Sequence, residues 1–185
     1  MNKKKWFLFL DRDGVINVKK PNGYIENWSE FTFIPGVLSS FQALSSFFDK
    51  IFIVTNQQGI GKGIMSVEAL ENIHFSMKHE ITKLGGRIDN IYYCPDLASG
   101  NPLCRKPEIG MGLSAKKDFP EIDFKFSVMV GDSITDIEFG KKLGMKTVFI
   151  SESGSDKNDN LTDSGADFVY STLAKFTAEI DNLLF

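Results

Sequence analysis

Two aspartates stand two residues apart in Asp11-Arg12-Asp13-Gly14, directly after the apolar stretch Trp6-Phe7-Leu8-Phe9-Leu10. Carboxylates this close repel each other, and burying them unpaired is unfavourable by several kcal/mol, so a cation is their natural partner. Hard oxygen donors suit Mg²⁺, which takes one or two carboxylates and keeps several waters. Asp132 follows a second apolar run in the same way and completes such a site, with Asp136 one helical turn further on to brace it. Thr55 offers a hydroxyl at the end of a third apolar run, and the residues after it offer backbone N–H groups that can cradle phosphoryl oxygens. Lys106 adds a point charge, and Arg105 can fork onto a second anionic group. The four carboxylates carry a charge that Mg²⁺, Lys106 and Arg105 together balance. A metal-bound carboxylate, a second carboxylate, a hydroxyl and a lysine make a centre for phosphoryl transfer through an aspartyl-phosphate.

Taken singly, each feature has an ordinary explanation. Asp-x-Asp-Gly occurs in turns and calcium loops, Thr55 can be a plain strand terminus, Lys106-Pro107 a loop, and Gly131-Asp132 a helix N-cap. Their order and their common position at strand ends are what point to a site. Gly59-Ile60-Gly61-Lys62-Gly63 is not a P-loop, because Gly63 stands where Ser or Thr must follow the lysine; it reads as a loop at the substrate edge.

The elements that must position these residues are legible as alternating apolar runs and amphipathic segments. Strands are predicted at 6–10, 51–55, 90–94, 127–130, 147–150 and 167–170, and helices at 37–48, 67–84, 110–117, 135–143 and 172–184. Runs apolar on both faces and separated by helices predict an α/β fold, a doubly wound, mainly parallel sheet. Such sheets carry their sites at the carboxyl ends of the strands, where all four polar segments fall. The stretch 151–164, rich in Ser, Asp, Asn and Gly, reads as a mobile surface loop.

The chain has 185 residues, one domain's worth, with 42% hydrophobic and 24% charged residues and a formal net charge of −3. That balance gives no support to a nucleic-acid binder working through a basic field. No apolar run approaches the ~20 residues of a membrane span, and the short run 6–10 ends in Asp11-Arg12-Asp13 rather than a cleavage site, so a cytoplasmic protein is expected. Two cysteines, Cys94 and Cys104, cannot make a framework of several bridges. His74 lies on the apolar edge of the helix at 67–84 and His79 faces water, and both read as packed or surface histidines rather than ligands.

Phe9-Leu10-Asp11-Arg12-Asp13-Gly14-Val15-Ile16-Asn17, Val54-Thr55-Asn56-Gln57-Gln58-Gly59, Cys104-Arg105-Lys106-Pro107 and Val130-Gly131-Asp132-Ser133-Ile134-Thr135-Asp136 resemble the four motifs of the haloacid-dehalogenase (HAD) superfamily. More narrowly they are similar to the D,D-heptose 1,7-bisphosphate phosphatases and the related histidinol-phosphate phosphatases. The resemblance implies a HAD-like Rossmannoid fold and a Mg²⁺-dependent phosphoric monoester hydrolase. Asp11 would be the nucleophile, and Asp13 would protonate the leaving alkoxide and then deprotonate the attacking water. Asp11, Asp132 and the Asp13 backbone carbonyl would hold Mg²⁺, with Asp136 behind them, while Thr55 and Lys106 would hold the phosphoryl oxygens. Substrate contacts would come from Asn22, Gly23, Tyr24, Asn56, Gln57, Gln58, Arg105 and Ser133. The implied substrate is a small sugar bisphosphate, D-glycero-D-manno-heptose 1,7-bisphosphate, hydrolysed at C7. Histidinol phosphate is the alternative.

The sequence departs from that pattern in places. The structural zinc set common in the subgroup corresponds here to Cys94, Asp96, Pro102 and Cys104; proline cannot ligate, so no zinc is expected. Ser133 stands where the heptose enzymes often have lysine. The intervals between the motifs hold no cap domain, so a single open domain spanning 1–185, acting as a monomer on a small phosphate ester with neither nucleic-acid nor membrane partners, is expected. A phosphoaspartate receiver domain also uses clustered acids, Thr and Lys, but its phosphorylated aspartate ends a different strand from its acid pair, whereas Asp11 and Asp13 share one loop, and this chain is too long for a receiver. A degenerate binding protein is opposed by the intact chemical residues.

Overall fold

Strand β1 (Phe7–Leu10) alternates phenylalanine and leucine and is buried on both faces, as a central strand of a parallel sheet requires. The computed structural model describes residues 5–151 and 164–184. Around β1 stand β2 (Lys50–Asn56), β3 (Asn90–Cys94), β4 (Ser127–Gly131), β5 (Lys146–Ile150) and β6 (Phe168–Tyr170). They form one six-stranded sheet in the order β3-β2-β1-β4-β5-β6, every pair parallel. Leu10 is in register with Ile53 on one side and Val130 on the other, so β1, β2 and β4 end side by side.

The period-2 alternation of the strands divides the core in two. Leu8, Leu10, Ile51, Ile53, Val128 and Val130 pack with α1 (Val37–Phe47), α2 (Val67–Lys83) and α5 (Leu173–Leu184). Phe7, Phe9, Phe52, Val54 and Met129 pack on the opposite face with α3 (Gly110–Asp118) and α4 (Ile134–Leu143). This is the doubly wound arrangement predicted from the sequence, and each element begins and ends within a residue of its predicted limits. β3 differs in character: it is an edge strand, only half-buried along most of its length. Its tyrosines account for this, since Tyr92 turns its hydroxyl outward to donate to Asp118 Oδ2 at 2.9 Å.

The 14–36 stretch between β1 and α1 carries no periodicity and folds by local contacts. Asn17 bridges to Asp13 and to Phe33, and a short 3₁₀ turn (Trp28–Glu30) stacks Trp28 on Phe31. Most of the predicted surface loop, 152–163, lies outside the described residues. Among the described residues no helix is long and apolar enough to cross a membrane.

Candidate active site

From the central β1 the chain builds β2 and β3 on one side and β4 to β6 on the other, which opens a crevice at the carboxyl ends of β1 and β4. The Asp11 N–H donates to the Val130 carbonyl at 2.9 Å, so the first aspartate is seated directly beside the end of β4. Gly14, at φ +90°, turns the chain away again; a Cβ there would collide with the Asp132 carboxylate, so only glycine lets the two loops approach this closely.

One carboxylate oxygen from each of Asp11, Asp132 and Asp136 lies within 4.8 Å of the others. Lys106, fully buried, places Nζ 2.9 Å from Asp11 Oδ1, 2.6 Å from Asp136 Oδ1 and 2.6 Å from the Val54 carbonyl. Burial pulls its ammonium down, but the two carboxylates outweigh this and raise its pKa. Burial pushes Asp11 up to about 7, Lys106 opposes it, and Asp136, Asp132 and Asp13 add to it. Asp132 is raised by burial too, although the Lys19 ammonium sits on its Oδ2. Its Oδ1 is buried with no hydrogen-bond partner. An acidic cluster still short of positive charge, with an orphaned carboxylate oxygen and only oxygen donors, fits a hard divalent cation such as Mg²⁺.

The Asp13 carboxylate stands apart from that trio. Its Oδ1 accepts from Arg12 Nη2 and Asn17 Nδ2, each at 2.9 Å, and its Oδ2 from Arg12 Nη2 at 2.9 Å and Gln57 Nε2 at 2.8 Å. Burial would raise this group, yet the Arg12 charge and the three sets of donors hold it below the usual carboxylate range. Gln57 Nε2 also reaches Thr55 Oγ1 at 2.9 Å.

Asp11, Asp13, Thr55, Asn56, Arg105, Lys106, Asp132, Ser133 and Asp136 line one cavity of about 210 Å³, joined by Lys19 and Thr135, which the sequence reading did not single out. Several expected substrate contacts have other work. Gln57 is fully buried and spends its amide on Asp13 and Thr55, so it faces away from the opening. Asn56 exchanges hydrogen bonds with the Lys106 backbone, accepting its N–H at 3.0 Å and donating to its carbonyl at 3.1 Å. Ser133 caps α4, its backbone N–H and hydroxyl both donating to Asp136 Oδ2 at 3.1 and 2.6 Å. Tyr24 packs on Gly59 with Lys62 over its ring, and neither it nor Asn22, Gly23 or Gln58 lines this cavity. A strand-end amide looks the same in sequence whether it faces substrate or a neighbouring backbone, which is why these roles were not separable.

A larger cavity of about 490 Å³ adjoins the first, sharing Arg105, Lys106 and Thr135 with it and extending to Asn101, Leu103 and Glu108. Arg105 Nη1 is buried without a partner. Nearby, Cys94 and Cys104 are joined as a disulfide that closes the 94–104 loop next to Arg105 and Lys106. Paired sulfurs no longer offer thiolates, although Asp96 lies beside them.

A HAD-hydrolase-like family model matches residues 103–176. The chain is 38% identical over 134 residues to the D-glycero-alpha-D-manno-heptose-1,7-bisphosphate 7-phosphatase of Mycobacterium bovis, covering 72% of this chain and 70% of the relative. It is 39% identical over 154 residues to the D-glycero-beta-D-manno-heptose-1,7-bisphosphate 7-phosphatase of Vibrio cholerae, covering 80% of this chain and 81% of the relative. Among solved structures, the D,D-heptose 1,7-bisphosphate phosphatase of B. bronchiseptica, complexed with magnesium and phosphate, superposes with a TM-score of 0.83 at 25% identity, covering 96% of this chain and 98% of that one. With the polar segments at the ends of β1, β2 and β4 meeting Arg105 and Lys106 from the loop after β3 at one switch point, and relatives of this identity over most of their length, the chain belongs to the heptose-1,7-bisphosphate 7-phosphatase family of HAD-type hydrolases.

Proposed function

We propose that the protein hydrolyses the C7 phosphate of D-glycero-D-manno-heptose 1,7-bisphosphate through an aspartyl-phosphate on Asp11. The observation that carries this reading is the Asp11 carboxylate, seated at the switch point against Lys106 and close enough to Asp132 and Asp136 for the three to share a cation. An Asp11 oxygen attacks phosphorus, the bond to the C7 oxygen breaks, and the departing alkoxide takes a proton from Asp13. Asp13 binds that proton only with the substrate's phosphate charge beside it, because Arg12 and its other donors hold the free carboxyl ionised. Water then attacks the phosphoryl group, gives its proton to Asp13, and releases phosphate and the Asp11 carboxylate. Lys106 lowers the charge on the transferring group, and Thr55, held by Gln57, supports one of its oxygens. Asp11, Asp132 and the Asp13 carbonyl would hold Mg²⁺, which when bound neutralises phosphoryl charge and orients the group for in-line attack. The magnesium and phosphate in the B. bronchiseptica relative support that assignment.

The adjoining cavity has room for the rest of a sugar phosphate, and the unpartnered Arg105 Nη1 suits its second phosphate. This favours a bisphosphate over histidinol phosphate. We expect no zinc, because proline stands at one ligand position and the two cysteine sulfurs are bonded to each other; one zinc per chain by elemental analysis would reverse this. A single-domain monomer is expected, and light scattering should give a mass near 20.7 kDa.

The deciding experiment measures phosphate release with Mg²⁺ from both anomers of heptose 1,7-bisphosphate and from histidinol phosphate, with Asp11→Asn as the blank. We expect kcat/KM to favour one heptose anomer over histidinol phosphate by about 100-fold or more, about 2.7 kcal/mol of differential transition-state binding. A flat profile that Asp11→Asn still abolishes would keep the chemistry and discard the substrate. Turnover surviving Asp11→Asn would discard both.

A further inference from the structure

Arg12 separates the two aspartates of the first motif, yet its side chain leaves the site and is fully buried beneath it. A guanidinium cannot shed its proton, so its N–H groups must find acceptors. Nη2 spans both oxygens of Asp13 at 2.9 Å, and Nη1 lies 3.2 Å from Nε2 of His74, on the core-facing side of α2. Arg12 has no acceptor to offer, so His74 Nε2 must accept, and the ring is the neutral tautomer with its proton on Nδ1. Leu70, Ile73 and Met77 bury the same stripe of α2, and Tyr93 packs 6.0 Å from the imidazole, so the ring is fixed. Nε of Arg12 is buried without a partner, which leaves His74 and Asp13 as the guanidinium's two side-chain anchors.

We propose that Arg12 and His74 are positioning residues for Asp13: α2, through the His74 ring, fixes the guanidinium, and the guanidinium fixes the direction in which Asp13 presents its carboxyl to the leaving oxygen. The proposal rests on the reading that Asp13 handles the leaving-group proton. Asn17 and Gln57 hold one Asp13 oxygen each, whereas Arg12 alone touches both, so it is the donor that sets the plane of the group. Proton transfer is sensitive to that direction. His74 touches no reacting atom, and its influence runs through two hydrogen bonds.

A leaving group that departs without a proton separates this role from a general structural one. The test compares kcat/KM, which reports steps through aspartyl-phosphate formation, for heptose 1,7-bisphosphate and for p-nitrophenyl phosphate. Asp13→Asn should lose about 100-fold or more on the sugar phosphate and much less on the aryl phosphate, because the general acid matters only to the former. His74→Leu, which fills the space but cannot accept, should lose about 10-fold on the sugar phosphate and less than about 3-fold on the aryl phosphate. His74→Gln, whose amide oxygen can accept from Nη1, should recover most of that loss. Equal losses on both substrates in His74→Leu, no loss on either, or a Gln variant no better than Leu would overturn the proposal. Arg12→Leu should show a larger version of the same imbalance, and unfolding midpoints identify any variant that fails to fold, leaving the His74 pair to decide. If Asp13→Asn itself treats both substrates alike, the role given to Asp13 falls, and the proposal with it.

Discussion

Lys106 carries a full charge in the interior, and two buried carboxylates and a strand-end carbonyl surround it. Removing one partner of such a set leaves the others uncompensated, which typically destabilises by about 3–5 kcal/mol. Lys106→Met should therefore lose stability of that order, read as a lower urea midpoint at unchanged m, and reduce turnover to the Asp11→Asn blank. A variant of near-normal stability would show that the two carboxylates do not depend on the Lys106 charge in the fold. His74 supplies a second residue-scale prediction. Burial, with Arg12 beside it, pushes its pKa down to about 3, against an ordinary 6.5, and Asp13 only partly opposes this. Between those values the unfolded chain binds a proton that the folded one refuses, so this contribution is complete above pH 6.5 and is lost as pH falls towards 3, at up to roughly 1.4 kcal/mol per pH unit. His74→Gln should flatten the stability profile between pH 6 and 4, checked by denaturant titration at each pH; an unchanged slope would mean that the ring is protonated in the fold. Asp11, Asp13 and Asp132 were legible because they follow apolar runs at strand ends, and Lys106 because Arg105-Lys106-Pro107 falls between those segments in the order of the resembling motifs. The Arg12–His74 contact was not, because it joins residues 62 apart that look ordinary one at a time.

The junction between β4 and α4 does most of the positioning at the scale of elements. Gly131 ends the strand, and a Cβ on it would run into the Cβ and carboxyl of Asp136, which needs that space to reach Lys106 and to accept from the Ser133 N–H at the start of the helix. Gly140, further along α4, is packed for a different reason: a Cβ there would come within 2.7 Å of Thr147 Cγ2 and 2.8 Å of Met129 Cβ, where the helix lies on the sheet. Overpacking of this kind costs about 1–3 kcal/mol. Gly131→Ala and Gly140→Ala should both lose stability in that range, but only Gly131→Ala should also lose kcat, by about 10-fold or more, because it displaces a charged group of the site. Similar kcat in the two variants would show that Asp136 is not held by the junction. The helices were legible from the periodicity of their apolar residues and the central strands from continuous apolar runs, which are how burial on one face and on both faces read in a sequence. The bridges of Asn17 to Asp13 and Phe33 were not, since isolated contacts of a non-repeating segment leave no pattern.

Across the whole molecule, a sheet that starts at its centre and grows outward both ways brings Asp11 from near the start of the chain to one edge with Asp132 and Asp136 from its far half. The apolar residues on both faces of β1, β2 and β4 mark them as interior strands, so the edge at which their polar ends gather was legible, whereas the order in which they pair was not. Side-chain direction at that edge was not either, as the buried Gln57 and the outlying Tyr24 show. The same topology couples metal to folding. Unfolding separates Asp11 from Asp132 and Asp136, so a divalent cation binds the folded state far better than the unfolded one. Stabilisation then follows RT ln(1 + [L]/Kd), about 2.7 kcal/mol at a concentration of 100 Kd. For a chain of this size each kcal/mol moves the midpoint by about 2–4 °C, so saturating Mg²⁺ should raise Tm by roughly 5–11 °C. Two cores of buried apolar side chains fold without it, so the apo protein should still unfold cooperatively, only at lower temperature. A chelator should return Tm to the metal-free value, sodium chloride of matched ionic strength should not reproduce the rise, and Asp132→Asn should abolish most of it. A midpoint indifferent to Mg²⁺ would mean that the Lys19 and Lys106 ammoniums already satisfy the cluster, and that the orphaned Asp132 oxygen is not a metal ligand.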